Sequence, residues 1–143
     1  MISITPSVLA AIQAHALAAY PEECCGLLLA AAESAISRPY PAARILDAVP
    51  AQNLAHANRS VRFTLDPRAY IHADSQARQR GLTVVGCYHS HPDHPAIPSA
   101  TDESLAWEDF LYLIVPATSV AAEPPRAWRY VHHAPEEVPL TIC

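Results

Sequence analysis

Apolar residues recur with a helical period after Thr5-Pro6, at Val8, Leu9, Ile12, Ala16 and Tyr20, and Pro21 stops the run. A hydroxyl N-cap followed by proline at the first helical position opens the helix. Leu27-Leu28-Leu29-Ala30-Ala31 then reads as a buried strand, residues 33–42 as turns, and Ala43–Val49 as a second strand. A polar loop, Gln52–Ser60, carries Asn53, His56 and Asn58. Val61–Leu65 alternates as a strand would, and Asp66-Pro67 repeats the cap-plus-proline signal for a helix through Arg80, closed by Gly81 at the C′ position. Leu82-Thr83-Val84-Val85-Gly86-Cys87 is short, β-branched and apolar: a buried strand running into Tyr88-His89-Ser90-His91-Pro92. After a proline loop the pattern predicts a helix from about Ser99 to Asp109, then a central strand Leu111–Val115 ended by Pro116. Residues 117–126 form an exposed loop. Trp128–Val131 and Val138–Ile142 close the chain as strands, with Pro139 placing the last at an edge. The sum is α/β: one mixed sheet of five to seven strands with about three helices packed on it.

At 143 residues the chain is expected to be one domain, 1–143, with a sizeable core. It is 51% apolar with a formal charge of −5, a pI near 5.8 and a mean hydropathy of +0.09. An acidic chain without a basic run is a poor fit for a nucleic-acid partner held through phosphates. The N-terminus has no positive region ahead of an apolar core, so no secretion signal is expected. The longest apolar stretches, around Cys24–Ala32 and Phe110–Val115, fall far short of the roughly 20 residues of a spanning helix. These features together predict a soluble, cytoplasmic protein that does not enter a membrane. The four cysteines, 24, 25, 87 and 143, contain no C-x-x-C pair and no disulfide framework, so buried thiols are expected, with Cys143 the most exposed.

Candidate chemistry gathers at the end of the Leu82–Cys87 strand. Residues two apart on a strand share a face, so His89 and His91 present two imidazoles side by side. Such a pair suits one metal ion. Asp102 is the first candidate for a third ligand, because prolines 92, 95 and 98 forbid regular structure and let the chain loop back. His94 and Asp93 lie near enough to compete, though a supporting or substrate-facing place suits them better. Cys87 shares the face of His89 but lies roughly 13 Å from His91 along an extended strand, so it belongs to the core. Two histidines and a carboxylate leave one position of a tetrahedral zinc open, which favours catalysis over a structural role. A lone S-x-x-D is ordinarily a helix start, with Ser99 as cap and Asp102 in the first turn. Beside an H-x-H-P the metal role is favoured for Asp102, and both capping and catalysis stay open to Ser99. Trp107, Phe110 and Tyr112 are expected in the core. The remaining histidines, 15, 56, 72, 132 and 133, are expected at the surface or in caps. For Asn53 both a turn-holding and a substrate-binding role are open.

The spacing H-x-H-P-x(6)-S-x-x-D at His89, His91, Pro92, Ser99 and Asp102, with a glutamate ahead of Cys25-Gly26 and an apolar strand, resembles the JAMM (MPN-plus) zinc metalloprotease family, its short prokaryotic JAB-like branch most of all. The resemblance runs from about Ile4 to the end. It implies an MPN/JAB-like, cytidine-deaminase-like sandwich and one zinc ion per chain on His89, His91 and Asp102. It further implies Glu23 as general base, with Glu22 as fallback because the cysteine is doubled, and Ser99 as oxyanion donor. The implied substrate is an amide at an extended polypeptide tail, laid along an exposed sheet edge. By similarity to the prokaryotic branch, that tail belongs to a small ubiquitin-like or sulfur-carrier protein. Asn53 and His94 are candidate substrate contacts. Ala30 and Ile97 depart from the family pattern without removing a chemical group. The alternative is a protein-binding scaffold on the same fold, with zinc structural or absent. Deamination is more remote, because the cysteine ligands it uses are missing.

Overall fold

The computed structural model describes residues 1–143. Its elements in chain order are β1 (Ile2–Ile4), α1 (Pro6–Ala19), β2 (Cys25–Ala31), β3 (Ala43–Ala51), α2 (Pro67–Gln79), β4 (Leu82–Pro92), α3 (Ala100–Leu105), β5 (Leu111–Ala117), β6 (Arg126–Val131), β7 (Ala134–Val138) and β8 (Leu140–Ile142). All eight strands form one mixed sheet in the order β7-β6-β5-β4-β2-β3-β1-β8. β4 runs parallel to β5 and antiparallel to β2, while β1 is parallel to both β3 and β8. No helix is long and apolar enough to cross a membrane.

Each face of the sheet has its own core. α1 buries Val8, Leu9, Ile12 and Ala16 on one face, against Leu28, Ile45, Tyr88, Leu113 and Val115. α2 buries Ala73 and Ala77 on the other, where Leu27, Leu29, Cys87 and Ile114 meet them. Both helices start as the sequence predicts: Thr5 Oγ1 accepts from the Val8 amide, and the Asp66 side chain from the Arg68 amide, each followed by proline.

β4 is the axis of the molecule, buried without interruption from Val85 to Pro92. A β-bulge opposite Leu28 and Leu29 inserts Val85 into the ladder, and the extra residue resets which side chains face which way. Val85 and Tyr88 therefore join the α1 core, while Cys87 joins the α2 core. His89 and His91 follow Cys87 at two-residue steps on its face. Only glycine fits position 86, since a Cβ there would lie 1.9 Å from the Leu111 carbonyl oxygen on β5.

Four expectations need correction. Val61–Leu65 is not a strand; the Asn53 side chain binds the Arg62 carbonyl and the Thr64 amide, occupying groups a neighbouring strand would use. α3 ends at Leu105 rather than Asp109, because Ala106 is extended and the Trp107 amide donates to Tyr112 Oη instead of continuing the helix. The sheet has eight strands, with β1 and β7 unforeseen. Finally, the histidine-bearing strand has partners on both sides, so no sheet edge lies beside it. The nearest open edge is the 46–51 half of β3, which β1 leaves unpaired beyond Ile45, two strand spacings or roughly 10 Å from His89.

Candidate metal centre and its surroundings

Two elements deliver one group of three side chains. His89 and His91 come from the end of β4, and Asp102 from the first turn of α3 after the proline loop folds back. His89 Nε2 and His91 Nε2 are 3.2 Å apart; Asp102 Oδ2 lies 3.0 Å from His91 Nε2 and 3.3 Å from His89 Nε2. A tetrahedral ion with bonds of about 2.0–2.1 Å holds its ligand atoms about 3.3 Å apart. The triangle has nearly that edge length.

The donors are also in the right chemical form. His91 Nδ1 lies 2.8 Å from the Pro95 carbonyl, which can only accept, so Nδ1 carries a proton and Nε2, which meets Asp102 in the metal-free chain, is the nitrogen that would give its lone pair to an ion. Asp102 Oδ2 accepts from the Ser99 amide at 2.8 Å, and Ser99 Oγ accepts from the Asp102 amide at 3.0 Å. This reciprocal cap aims the carboxylate inward. Burial opposes the charge on Asp102, but hydrogen bonds from His89 and His91 outweigh it and hold its carboxyl well below the usual range. Burial pushes His89 down, against the pull of Asp102. His91 is also opposed by burial, yet Asp102 and the Pro95 carbonyl carry it upward. Phe63 stacks on His89, with ring centroids 4.5 Å apart. These three side chains fit a divalent cation.

Glu23 lies close enough to the triangle to feel the charges of His91 and Asp102. It is 4% exposed, and its Oε1 is buried without a hydrogen-bond partner. Its position is set through the backbone: the Glu23 amide donates to the Arg59 carbonyl at 2.7 Å, and the Glu23 carbonyl accepts from Asn53 Nδ2 at 3.1 Å. The next residue is tied to β4, since the Cys24 amide donates to Ser90 Oγ and the Ser90 amide to the Cys24 carbonyl. Burial pushes the Glu23 carboxyl up to about 8, partly offset by His91 and reinforced by Asp102. Glu22 is exposed and has no place at the centre.

A model of prokaryotic homologs of the JAB domain matches residues 5–131. The chain belongs to this family. It is 35% identical to the desampylase of Haloferax volcanii over 95 residues, 66% of this chain and 62% of that protein. It is 38% identical to tail tip assembly protein K of Escherichia phage N15 over 94 residues, 66% of this chain and 32% of that protein. The matches thus span less than two thirds of either relative. A solution structure from Desulfitobacterium hafniense superposes with a TM-score of 0.83 at 29% identity, covering 100% of this chain and 93% of that one.

The other candidates of this JAB domain fall outside the triangle. Asp93 turns away and accepts from Tyr20 Oη at 2.7 Å; His94 is exposed on the same loop. Asn53 commits its whole amide inside the chain, to Glu23, Ala55, Arg62 and Thr64. Burial raises the thiols of Cys24 and Cys25, to about 11 and about 12, and lifts Cys87 further, so none is poised as a thiolate. His15, expected at the surface, is half-buried on α1 with Nδ1 2.7 Å from Tyr88 Oη. Trp107 is not core: it is 63% exposed. With Phe110 and Tyr112 it lines a cavity of about 520 Å³ whose wall includes His89 and Asp102. Sequence patterning missed that cavity because its aromatic residues look like core residues until the chain is folded.

Proposed function

We propose that this JAB domain is a zinc-dependent peptidase or isopeptidase, hydrolysing an amide at an extended polypeptide tail. The observation that carries the proposal is Glu23, a buried carboxyl with an unpartnered oxygen next to three converging ligand atoms. A binding scaffold has no use for such a group. Its burial costs stability that only chemistry at the site would repay.

Zinc held by His89, His91 and Asp102 would acidify a water and polarise the substrate carbonyl. Glu23 takes a proton from the attacking water as the new C–O bond forms. It delivers that proton to the nitrogen as the C–N bond breaks, a role worth roughly 10²–10⁴-fold in rate. Ser99 accepts from the Asp102 amide through a lone pair, which leaves its hydroxyl hydrogen free for the oxyanion.

The extended tail has a partner closer to His89 than any open sheet edge. The backbone amides and carbonyls of Phe63 and Leu65 make no hydrogen bond within the chain, and both residues line the cavity. A tail pairing with them would pass the metal centre in strand-like form. The desampylase relative supports the C-terminal tail of a small ubiquitin-like or sulfur-carrier protein as that substrate.

The test is Glu23→Gln in zinc-loaded protein, assayed on a ubiquitin-like protein joined through its C-terminus to a peptide amine. Zinc retained with hydrolysis lost is expected; hydrolysis that survives the substitution rejects the proposal.

A further inference from the structure

The loop that joins the two histidines to Asp102 has little of its own to hold it. Pro95 and Pro98 offer no amide hydrogen, and between Pro92 and Asp102 only Ala96 is buried. Its fastening comes from across the sheet. The Ala96 carbonyl accepts from the Trp128 indole Nε1 at 2.9 Å, in a buried hydrogen bond. Trp128 is itself held firmly: it stands on β6 in register with Tyr112 on β5 and Glu137 on β7, and the Arg126 guanidinium lies 5.1 Å from its ring centroid. The other ties reach only the start of the loop, where the Asp93 amide donates to the Ala117 carbonyl and the Asp93 carboxylate accepts from Tyr20 at the surface.

We infer that Trp128 is a positioning residue for the metal centre: through the Ala96 carbonyl, its indole N–H holds the loop that orients His91 and carries Asp102. The inference rests on the zinc part of the proposed function. It deepens that reading by naming a residue, two strands away from the histidines, that sets how firmly the ion is gripped.

The path is short. Ala96 follows Pro95, whose carbonyl takes the His91 Nδ1 hydrogen at 2.8 Å. It also comes three residues before Ser99, whose amide and hydroxyl aim Asp102. One hydrogen bond thus fixes the loop between the group that turns His91 and the group that turns Asp102. Phenylalanine at 128 would leave the Ala96 carbonyl buried without a donor, a state costly enough to draw the loop toward water. A shift of about 1 Å at Pro95 carries its carbonyl out of hydrogen-bond reach of His91. The imidazole is then free to turn about its own axis and offer the ion the wrong nitrogen. His89 has no such tie to lose. Its ring is stacked on Phe63, and its Nδ1 is buried without a partner. The effect therefore falls on one histidine of the pair.

The test is Trp128→Phe in the isotope-labelled full chain, with solvent exchange of the His91 Nδ1 hydrogen read by NMR in metal-free and zinc-loaded protein. In the variant that hydrogen should exchange at least ~10-fold faster while the backbone amides of β4 keep their rates. Zinc, titrated against a competing chelator, should bind ~10-fold more weakly, the lower end of what losing a supporting partner costs. Unchanged exchange at His91 overturns the inference, as does exchange that quickens equally along β4, which would make Trp128 a core residue and nothing more. Faster exchange at His91 with zinc affinity unmoved overturns it too. The unaltered chain supplies a check that does not depend on the variant folding. There the Trp128 indole hydrogen should exchange at least ~100-fold more slowly than that of Trp107, which is 63% exposed; equal rates overturn the inference. A wild type that takes up no zinc rejects the hydrolase proposal, and exchange in the metal-free chain still decides whether Trp128 holds His91.

Discussion

Replacing Glu23 by glutamine should change how the metal-free protein responds to pH. In the folded chain burial pushes the Glu23 carboxyl up to about 8 from an ordinary 4.5. Between those values the folded state holds a proton that the unfolded state has released. The associated stability is complete below about pH 4.5 and is lost as pH rises through about 8. The limiting slope is ~1.4 kcal/mol per pH unit, so from pH 5 to pH 8 the wild type loses about 3–4 kcal/mol from this group at most. Glutamine does not titrate. Any fixed cost of its buried amide cancels when the same variant is compared with itself at two pH values, and other titrating groups are shared. Urea unfolding of chelator-treated wild type and Glu23→Gln at pH 5, 6, 7 and 8 measures this directly. The variant should gain on the wild type steadily over that range, by at least 1–2 kcal/mol in total if relaxation halves the limiting value. Curves that run parallel would mean that the carboxyl is well solvated, and the physical basis for naming it the base would be gone. Adding zinc should flatten the wild-type curve, because a nearby positive charge lowers a carboxyl pKa.

Further substitutions probe Asp102 and Ser99. Asp102→Asn should weaken zinc binding by more than the ~10–100-fold typical of losing a supporting partner and should abolish hydrolysis; unchanged stoichiometry by metal analysis would show that Asp102 is not a ligand. Ser99→Ala should cost about 1 kcal/mol of stability as a lost cap and ~10²–10³-fold in kcat with little change in KM. Ser99→Gly should keep most of the cap's stability without the rate, so recovery of both by glycine would show that Ser99 serves the fold alone.

The ligand triangle was legible in the sequence because its parts are local: a two-residue step on a strand, a proline loop that must turn, and a capping box that aims its own acid. α1 and α2 were legible for the same reason, each announced by a cap and a proline. β7 was not. The β6–β7 turn uses His132 and His133, with φ of 50° and 64°. Two left-handed residues suit a tight hairpin, but histidine pairs carry no such signal, and Ala-Pro-Glu-Glu-Val hardly reads as a strand. The Val61–Leu65 strand failed for a nonlocal reason, since alternation cannot reveal that an asparagine side chain ten residues earlier will take the ladder's place. The uncovered Trp107 failed likewise: whether an aromatic residue is core or pocket depends on how much of the space around it the rest of the chain fills. The bulge at Val85 was equally hidden, because it exists only in the pairing of β2 with β4.

The amide of Asn53 joins two parts of the site that are otherwise unconnected. Its nitrogen grips the carbonyl of Glu23 and that of Arg62, and its oxygen takes the amides of Ala55 and Thr64. The strip bearing Phe63 therefore cannot shift without pulling on the peptide group of Glu23. A push against the aromatic wall would be passed, through one side chain, to the backbone of the buried Glu23. Under the proposed mechanism this links recognition to proton transfer, and cutting the link at Asn53 would separate them while leaving every reacting group in the chain.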